Sequence, residues 1–92
     1  MVSQTVTIVN QLGMHARAAA KFVHEAARFR ARVRVERQGR EMDGKSIMGL
    51  LLLAAARGST ITISADGSDE ALAVQALAAL VESGFGEGAC NV

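Results

Sequence analysis

The chain has 92 residues, half of them apolar, and this suits one small domain, residues 1–92, whose core needs neither a metal nor a disulfide. The single cysteine excludes an internal disulfide and fits a reducing cytoplasm, while the longest apolar run, residues 50–56, is too short for membrane insertion. The net charge is only +1, but residues 15–40 carry eight Arg or Lys against two Glu, so we expect an acidic partner surface.

A strand and then a helix are predicted for the first 29 residues. Residues 5–9 alternate and are rich in β-branched side chains, which predicts a strand with Val6 and Ile8 facing inward. Residues 16–29 have the apolar spacing of a helix, with an inward face of Ala19, Phe22, Val23 and Ala26. The opposite face carries four basic residues, called the basic stripe below: Arg17, Lys21, His24 and Arg28.

The middle of the chain predicts a hairpin followed by a short helix. Residues 32–37 alternate, residues 38–39 form a turn, and residues 40–43 return as a second strand. Ser46 is a suitable N-cap for a helix over the apolar residues 47–56, which Gly58 ends. So short a helix cannot bury every apolar side chain. We expect Leu50 and Leu53 to join the core, and some of the remaining apolar residues to be exposed: Ile47, Met48, Leu51 and Leu52.

The last third predicts a strand over residues 60–64, a turn at residues 66–67 and a final helix. Ser68 is the predicted N-cap, Gly84 ends the helix, and its inward residues are Ala73, Ala76, Leu77, Leu80 and Val81. We expect the Gly-rich tail, residues 85–92, to be loose. The order β-α-β-β-α-β-α with its antiparallel hairpin predicts an α+β fold, in which a four-stranded sheet carries three helices on one face.

His15 stands at the junction of the first strand and the first helix, and Arg17 follows two residues later. Backbone N–H groups at a helix start lack intrahelical acceptors, and the positive end of the helix dipole attracts anions. The same field disfavours imidazolium, so we expect a neutral ring that can act as a nucleophile. The N–H groups of Ala16 and Arg17, and the Arg17 guanidinium, could meet a phosphoryl group on this ring without a metal or other cofactor.

Other roles for these residues fit the same spacing. His15 could simply cap the helix while Arg17 is solvated, and spacing alone does not separate this role from an anion site. His24 fits a plain member of the basic stripe better than a second catalytic group. Two histidines and one cysteine do not form a metal-ligand set at useful spacing. A stand-alone enzyme is not predicted, because no carboxylate pair, nucleophile elbow or Gly-rich phosphate loop accompanies His15.

Two motifs, Gly-Met-His-Ala-Arg at residues 13–17 and Gly-Lys-Ser-Ile-Met-Gly-Leu at residues 44–50, resemble the HPr family of phosphocarriers of the bacterial phosphotransferase system. The resemblance extends from Thr5 to about Gly84. It implies that phosphorylated Enzyme I transfers a phosphoryl group to Nδ1 of His15, that Arg17 steadies it, and that an enzyme IIA protein or domain then accepts it for sugar transport. It also implies a cytoplasmic monomer and an open-faced sandwich with strand order 1-4-2-3.

The resemblance extends to regulation and docking. It implies phosphorylation of Ser46 by HPr kinase/phosphorylase, which would place an anion beside an apolar docking patch and hinder Enzyme I. The residues expected to meet partner proteins are Ala16, Ala20, Lys21, His24, Ile47, Met48, Leu51 and Leu52. The family proline after the arginine is replaced by Ala18. Residues 83–87 are similar to the nitrogen-related branch, so the alternative function is a regulatory protein not coupled to sugar uptake.

Two further classes compete with a phosphocarrier. The basic stripe and the element order suggest a nucleic-acid module, but single-strand readers of this layout stack bases on sheet aromatics, and these strands have none. Arg32, Arg34 and Arg37 are expected to be solvated charges on the outer face of the sheet. A regulatory binding protein without phosphoryl transfer is the third class, but relatives of that kind replace the histidine that is present here as His15.

Overall fold

The computed structural model describes residues 1–86, which form one antiparallel sheet and three helices. The elements in chain order are β1 (Val2–Thr7), α1 (Ala16–Ala26), β2 (Arg32–Arg37), β3 (Arg40–Asp43), α2 (Ile47–Leu52), β4 (Thr60–Asp66) and α3 (Glu70–Glu82). The strands lie in the order β1-β4-β2-β3, and every neighbouring pair is antiparallel. The predicted fold class and the strand order implied by the resemblance are therefore confirmed.

The core lies between the helices and one face of the sheet. Successive strand residues point to opposite faces, so the apolar residues of each strand share the inner face. The outer face is polar, and there the hydroxyls of Thr5 and Thr62 form a 3.0 Å hydrogen bond. Large, fully buried side chains from both layers make up the core: Ile8, Phe22, Val33, Val35, Leu50, Leu53, Ile61, Ile63, Leu77 and Val81. Burial of Leu50 and Leu53 was predicted.

Several predicted element bounds are wrong, while those of β2 and β3 are correct. β1 covers residues 2–7 instead of 5–9, because its pairing with β4 begins at Val2 and ends at Thr7. α1 ends at Ala26 instead of residue 29, and β4 continues to Asp66 instead of residue 64. α2 ends at Leu52 instead of residue 56. Its early end has a backbone cause, since Ala54 adopts a φ of +50°, which a right-handed helix cannot contain.

Two predicted side-chain placements also differ from the structure. The guanidinium of Arg37 does not lie on the outer face of the sheet; it donates to the backbone oxygen of Leu53 at 3.1 Å, on the helix side. In α1, Ala18 is fully buried and Val23 only half-buried. Val33, Val35 and Arg37 are spaced two residues apart, so the alternation of β2 itself puts Arg37 on the inner face, and the expected outer position was wrong. The difference in α1 arises from packing against other elements, which the spacing within one helix does not report.

The final helix begins and packs differently from the prediction. Asp69, not Ser68, is its N-cap residue. The Asp69 carboxylate does not bond to its own helix; it accepts from the N–H groups of Arg30 and Ala31, each at 2.9 Å. The buried face contains Val74 and Ala78, which were not predicted, in place of the half-buried Ala76 and Leu80. α3 contacts β1, β4 and α1, and these contacts set its rotation.

Phe85 belongs to the core and not to a loose tail, which corrects the prediction for residue 85. The Gly84 N–H donates to the Val81 oxygen at 3.0 Å, and the Phe85 N–H donates to the Leu80 oxygen at 2.9 Å. This pair of bonds is a Schellman motif, and it turns the fully buried Phe85 ring inward. Residues 87–92, which include Cys90, lie outside the described part of the chain.

Candidate functional site

His15 is the N-cap residue of α1, as the sequence predicted. Its backbone is extended, with φ −82° and ψ −179°, and its carbonyl oxygen accepts from the Ala19 N–H at 2.8 Å. The side chain does not cap the helix, and the residue is half-buried. The helix therefore starts at Ala16 with its first N–H groups pointing away from the helix body, at its positive end, and His15 stands beside them.

The loop that carries His15 is held by backbone and side-chain hydrogen bonds. Gly13 has a φ of +68°, a left-handed conformation that favours glycine. The N–H of the next residue, Met14, donates to the Ala55 oxygen at 2.8 Å, and the Met14 side chain is buried. A Cβ atom on Gly13 would lie 2.6 Å from that same Ala55 oxygen, so only glycine fits this approach. The segment after α2 thus fixes the loop in front of α1.

All four residues of the basic stripe are exposed, three on α1 and Arg28 in the turn after it, but two of the four have structural partners. Lys21 Nζ donates to the Phe85 oxygen at 2.8 Å, which ties α1 to the turn after α3. Arg28 pairs with Glu25 at 2.9 Å and lies over the Phe29 ring. Arg17 is exposed and forms no salt bridge with another residue of the described range 1–86. Its guanidinium is therefore available for an anion bound near His15.

Ser46 is the N-cap residue of α2, as predicted. Its hydroxyl accepts from the Gly49 N–H at 3.1 Å, and the residue is half-buried. Behind the cap, the outer side of α2 presents apolar side chains to solvent: Ile47 is 42% exposed, Met48 67% and Leu52 52%. Leu51 is only half-buried and packs against the core.

The structure brings the two predicted docking helices together. α1 contacts α2, so the exposed residues of both belong to neighbouring surfaces. On α1 the exposed set includes Ala16, Ala20, Lys21 and His24. A small, partly apolar surface therefore adjoins a basic helix that starts beside His15, which suits a transient contact with an acidic partner.

Sequence reasoning missed three polar residues that shape this part of the molecule. Asn10 is buried, and its side-chain Nδ2 donates to the Gly13 oxygen at 2.8 Å. Lys45, next to Ser46, donates from Nζ to the Phe29 oxygen at 2.8 Å. The hydrogen bond from the Arg30 N–H to Asp69 lowers the pKa of that carboxyl group. Each bond joins segments that are distant in sequence, except the Asn10–Gly13 pair, whose Asn-x-x-Gly spacing is a usable turn signal.

The described range, residues 1–86, contains no cluster of three or more His, Cys, Asp or Glu residues that could hold a metal ion. None of its helices has the length and apolar character needed to cross a bilayer.

Comparison with known proteins identifies the family of the chain. Residues 2–83 match the family model described as "PTS HPr component phosphorylation site". Phosphocarrier protein HPr of Cupriavidus necator is 50% identical over 88 residues, covering 96% of this chain and 99% of the relative. HPr of Neisseria meningitidis serogroup A is 48% identical over the same shares of the two chains.

A solved structure agrees with these sequence matches. The crystal structure of HPr-C-His from Thermoanaerobacter tengcongensis superposes with a TM-score of 0.92 at 42% identity, covering 96% of this chain and 99% of that one. The sequence and the fold thus lead to the same family. The chain belongs to the HPr family of phosphocarrier proteins of the phosphotransferase system.

Proposed function

We propose that this protein accepts a phosphoryl group from phosphorylated Enzyme I on Nδ1 of His15 and passes it to an enzyme IIA protein or domain. One observation carries the proposal: His15 is the N-cap residue of α1, yet its side chain does not cap the helix. The same residue therefore combines a nucleophilic ring with the anion-favouring end of a helix. The phosphoryl group is held for a time as a phosphohistidine, so the protein is a carrier between partner enzymes.

The start of α1 supplies the groups that steady the transferred phosphoryl group. The N–H groups of Ala16 and Arg17 precede the first intrahelical bond, which the Ala19 N–H makes to His15. The exposed Arg17 guanidinium adds a charge-assisted donor pair, because its planar geometry suits phosphate oxygens. During transfer the bond between phosphorus and the Enzyme I donor atom breaks as the bond to Nδ1 of His15 forms.

Docking is proposed to use the neighbouring surfaces of α1 and α2. The exposed Ile47, Met48 and Leu52 would be desolvated by a partner, and the basic residues of α1 would orient an acidic one. Leu51 contributes less, because it already packs against the core. We propose that the protein works as a cytoplasmic monomer. Its docking surface is small, which suits a contact that must form and break in each cycle.

Ser46 is proposed as a regulatory phosphorylation site, with HPr kinase/phosphorylase as the modifying enzyme. A phosphoryl group adds about −1.5 to −2 charge at the start of α2, directly before Ile47 and Met48. Helix starts tolerate such charge, so the domain stays folded while an acidic partner is repelled. Ser46→Asp should lower the rate of phosphoryl transfer from Enzyme I. Ser46→Ala, the matched control, should lose about 1 kcal/mol of stability but keep the rate; equal rates for both variants would reject this regulation.

The transfer itself is tested by incubation with Enzyme I and phosphoenolpyruvate. We expect one phosphoryl group per chain, labile in acid and stable in base. After complete reaction, His15→Ala should carry no label and His24→Ala one phosphoryl group per chain. His24 is the matched control for the site of transfer, because it is the other histidine and lies exposed on the same helix, and its proposed docking role affects only the rate. A label that persists in His15→Ala would reject the assignment.

A further inference from the structure

Asn10 is the one buried polar or charged residue among residues 1–86, with 6% of its surface exposed. A buried amide needs hydrogen bonds to offset its lost hydration. Asn10 bonds to Gly13 twice: its Nδ2 donates to the Gly13 oxygen at 2.8 Å, and its own carbonyl oxygen accepts from the Gly13 N–H at 3.1 Å. These two bonds close the turn that precedes His15.

The Gly13 oxygen has a second donor, and that donor belongs to His15. The His15 N–H bonds to it at 2.9 Å. One carbonyl group therefore joins the buried side chain of Asn10 to the backbone of His15. The two N–H donors also offset part of the negative charge of the Gly13 oxygen, which lies beside the His15 backbone.

The other side of Asn10 packs against the turn after α3. A Cβ atom placed on Gly84 would lie 3.7 Å from the Cβ atom of Asn10. Gly84 is fixed in turn by its bond to Val81 and by the buried Phe85 beside it. Asn10 therefore lies against the hydrogen-bonded turn that ends α3.

We propose that Asn10 is a positioning residue for phosphoryl transfer: through the Gly13 carbonyl it fixes the backbone of His15 at the start of α1. The proposal rests on the proposed role of His15. Without the amide of Asn10 the Gly13 carbonyl keeps only one donor and can rotate. The His15 ring then loses its fixed relation to the N–H groups of Ala16 and Arg17, and the phosphoryl group is oriented less well.

Two variants of Asn10 and one control test this role. Asn10→Ala removes the Nδ2 donor, and Asn10→Ser is the milder variant in case the first does not fold. Asp69→Ala is the matched control, because it also removes side-chain bonds to backbone, but at the segment after α1, the end opposite His15. Four quantities are measured for each: protection of the His15 amide from hydrogen exchange, the kcat and the KM of Enzyme I with the variant as its substrate, and the hydrolysis rate of the isolated phosphohistidine form.

We expect Asn10→Ala to lose amide protection at His15 and to lower the kcat of Enzyme I about tenfold. The KM of Enzyme I for the variant should change less than about twofold. Hydrolysis of its phosphohistidine should be faster than in the wild type, and Asn10→Ser should fall between the two. Asp69→Ala should leave all four quantities unchanged. Wild-type kcat in an Asn10 variant, or an equal loss in Asp69→Ala, would overturn the proposal. Failure of the wild type to become phosphorylated on His15 would reject the proposed function instead, and the amide protection would still report on the role of Asn10.

Discussion

Gly13→Ala is expected to be strongly destabilising, because two separate effects meet at this residue. The first is the backbone conformation: a φ of +68° costs a non-glycine residue roughly 1–2 kcal/mol. The second is steric, since the new Cβ would lie 2.6 Å from the Ala55 oxygen and 2.9 Å from Cα of Ala56. Relief of this overlap moves the loop, which costs about 1–2 kcal/mol of packing and about 1 kcal/mol for the bond from Met14 to Ala55. The expected total is about 3–5 kcal/mol.

Gly39→Ala separates the two effects, because Gly39 has a similar φ of +82° but nothing within 4 Å of its Cβ position. Gly39→Ala should lower the free energy of unfolding only by the cost of the left-handed backbone conformation, roughly 1–2 kcal/mol. Both variants and the wild type are unfolded in urea, and the free energies of unfolding are compared at unchanged m-values. We expect Gly13→Ala to be less stable than Gly39→Ala by about 2–3 kcal/mol. A difference below about 0.5 kcal/mol would refute the close approach of Gly13 to Ala55.

Three further predictions concern other parts of the structure. The hydrogen bond from Arg30 lowers the pKa of the Asp69 carboxyl group in the folded protein below its ordinary value of 3.8. The stabilisation by Asp69 is therefore fully present above pH 3.8 and is lost as the pH falls through the lower pKa of the folded state. The difference in free energy of unfolding between the wild type and Asp69→Asn should shrink over this range in acid titrations. In the same urea assay, Phe85→Ala should lower the free energy of unfolding by about 3–5 kcal/mol, and a decrease below about 1 kcal/mol would contradict the place of Phe85 in the core. Lys21→Ala should lower it by about 1 kcal/mol, because one hydrogen bond is lost. Met48→Asp should raise the KM of Enzyme I for this protein, and it should change the stability little because Met48 is 67% exposed. An unchanged KM would remove Met48 from the docking surface.

Local signals predicted the elements that depend on local interactions. The hairpin bounds were correct, because residues 32–37 alternate without a break and Gln38 and Gly39 supply the two positive φ angles of a tight turn. The positions of His15 and Ser46 as N-cap residues were correct for the same reason, since a cap is specified within one helical turn. These two residues carry most of the candidate site.

Apolar spacing could not fix the rotation of α3 or the end of α2. Ten of the thirteen residues of α3 are apolar, so the pattern does not select one face, and contacts with β1 and β4 bury Val74 and Ala78. Residues 47–56 are also apolar apart from Gly49, yet the helix stops where Ala54 turns left-handed. Tertiary packing sets the rotation of α3, and the left-handed backbone of Ala54 sets the end of α2, although the residues there favour a helix.

The hydrogen bonds that hold the candidate site in place could not be predicted from the sequence for a related reason. The bond from Met14 to Ala55 and the bond from Lys21 to Phe85 join residues 41 and 64 positions apart. Their side chains and backbone groups carry no mark of a partner in the sequence. The sequence consequently predicts the basic stripe only as an approach surface for acidic partners, although its one lysine, Lys21, also holds α1 to the turn after α3.

The central claim is that Nδ1 of His15 carries the phosphoryl group. Its most direct test is NMR of the protein labelled with ¹⁵N in the histidine rings, recorded before and after phosphorylation by Enzyme I and phosphoenolpyruvate. We expect phosphorus–nitrogen coupling and a large shift at Nδ1 of His15, with both ring nitrogens of His24 unchanged. Coupling at Nε2 of His15, or at either nitrogen of His24, would contradict the account.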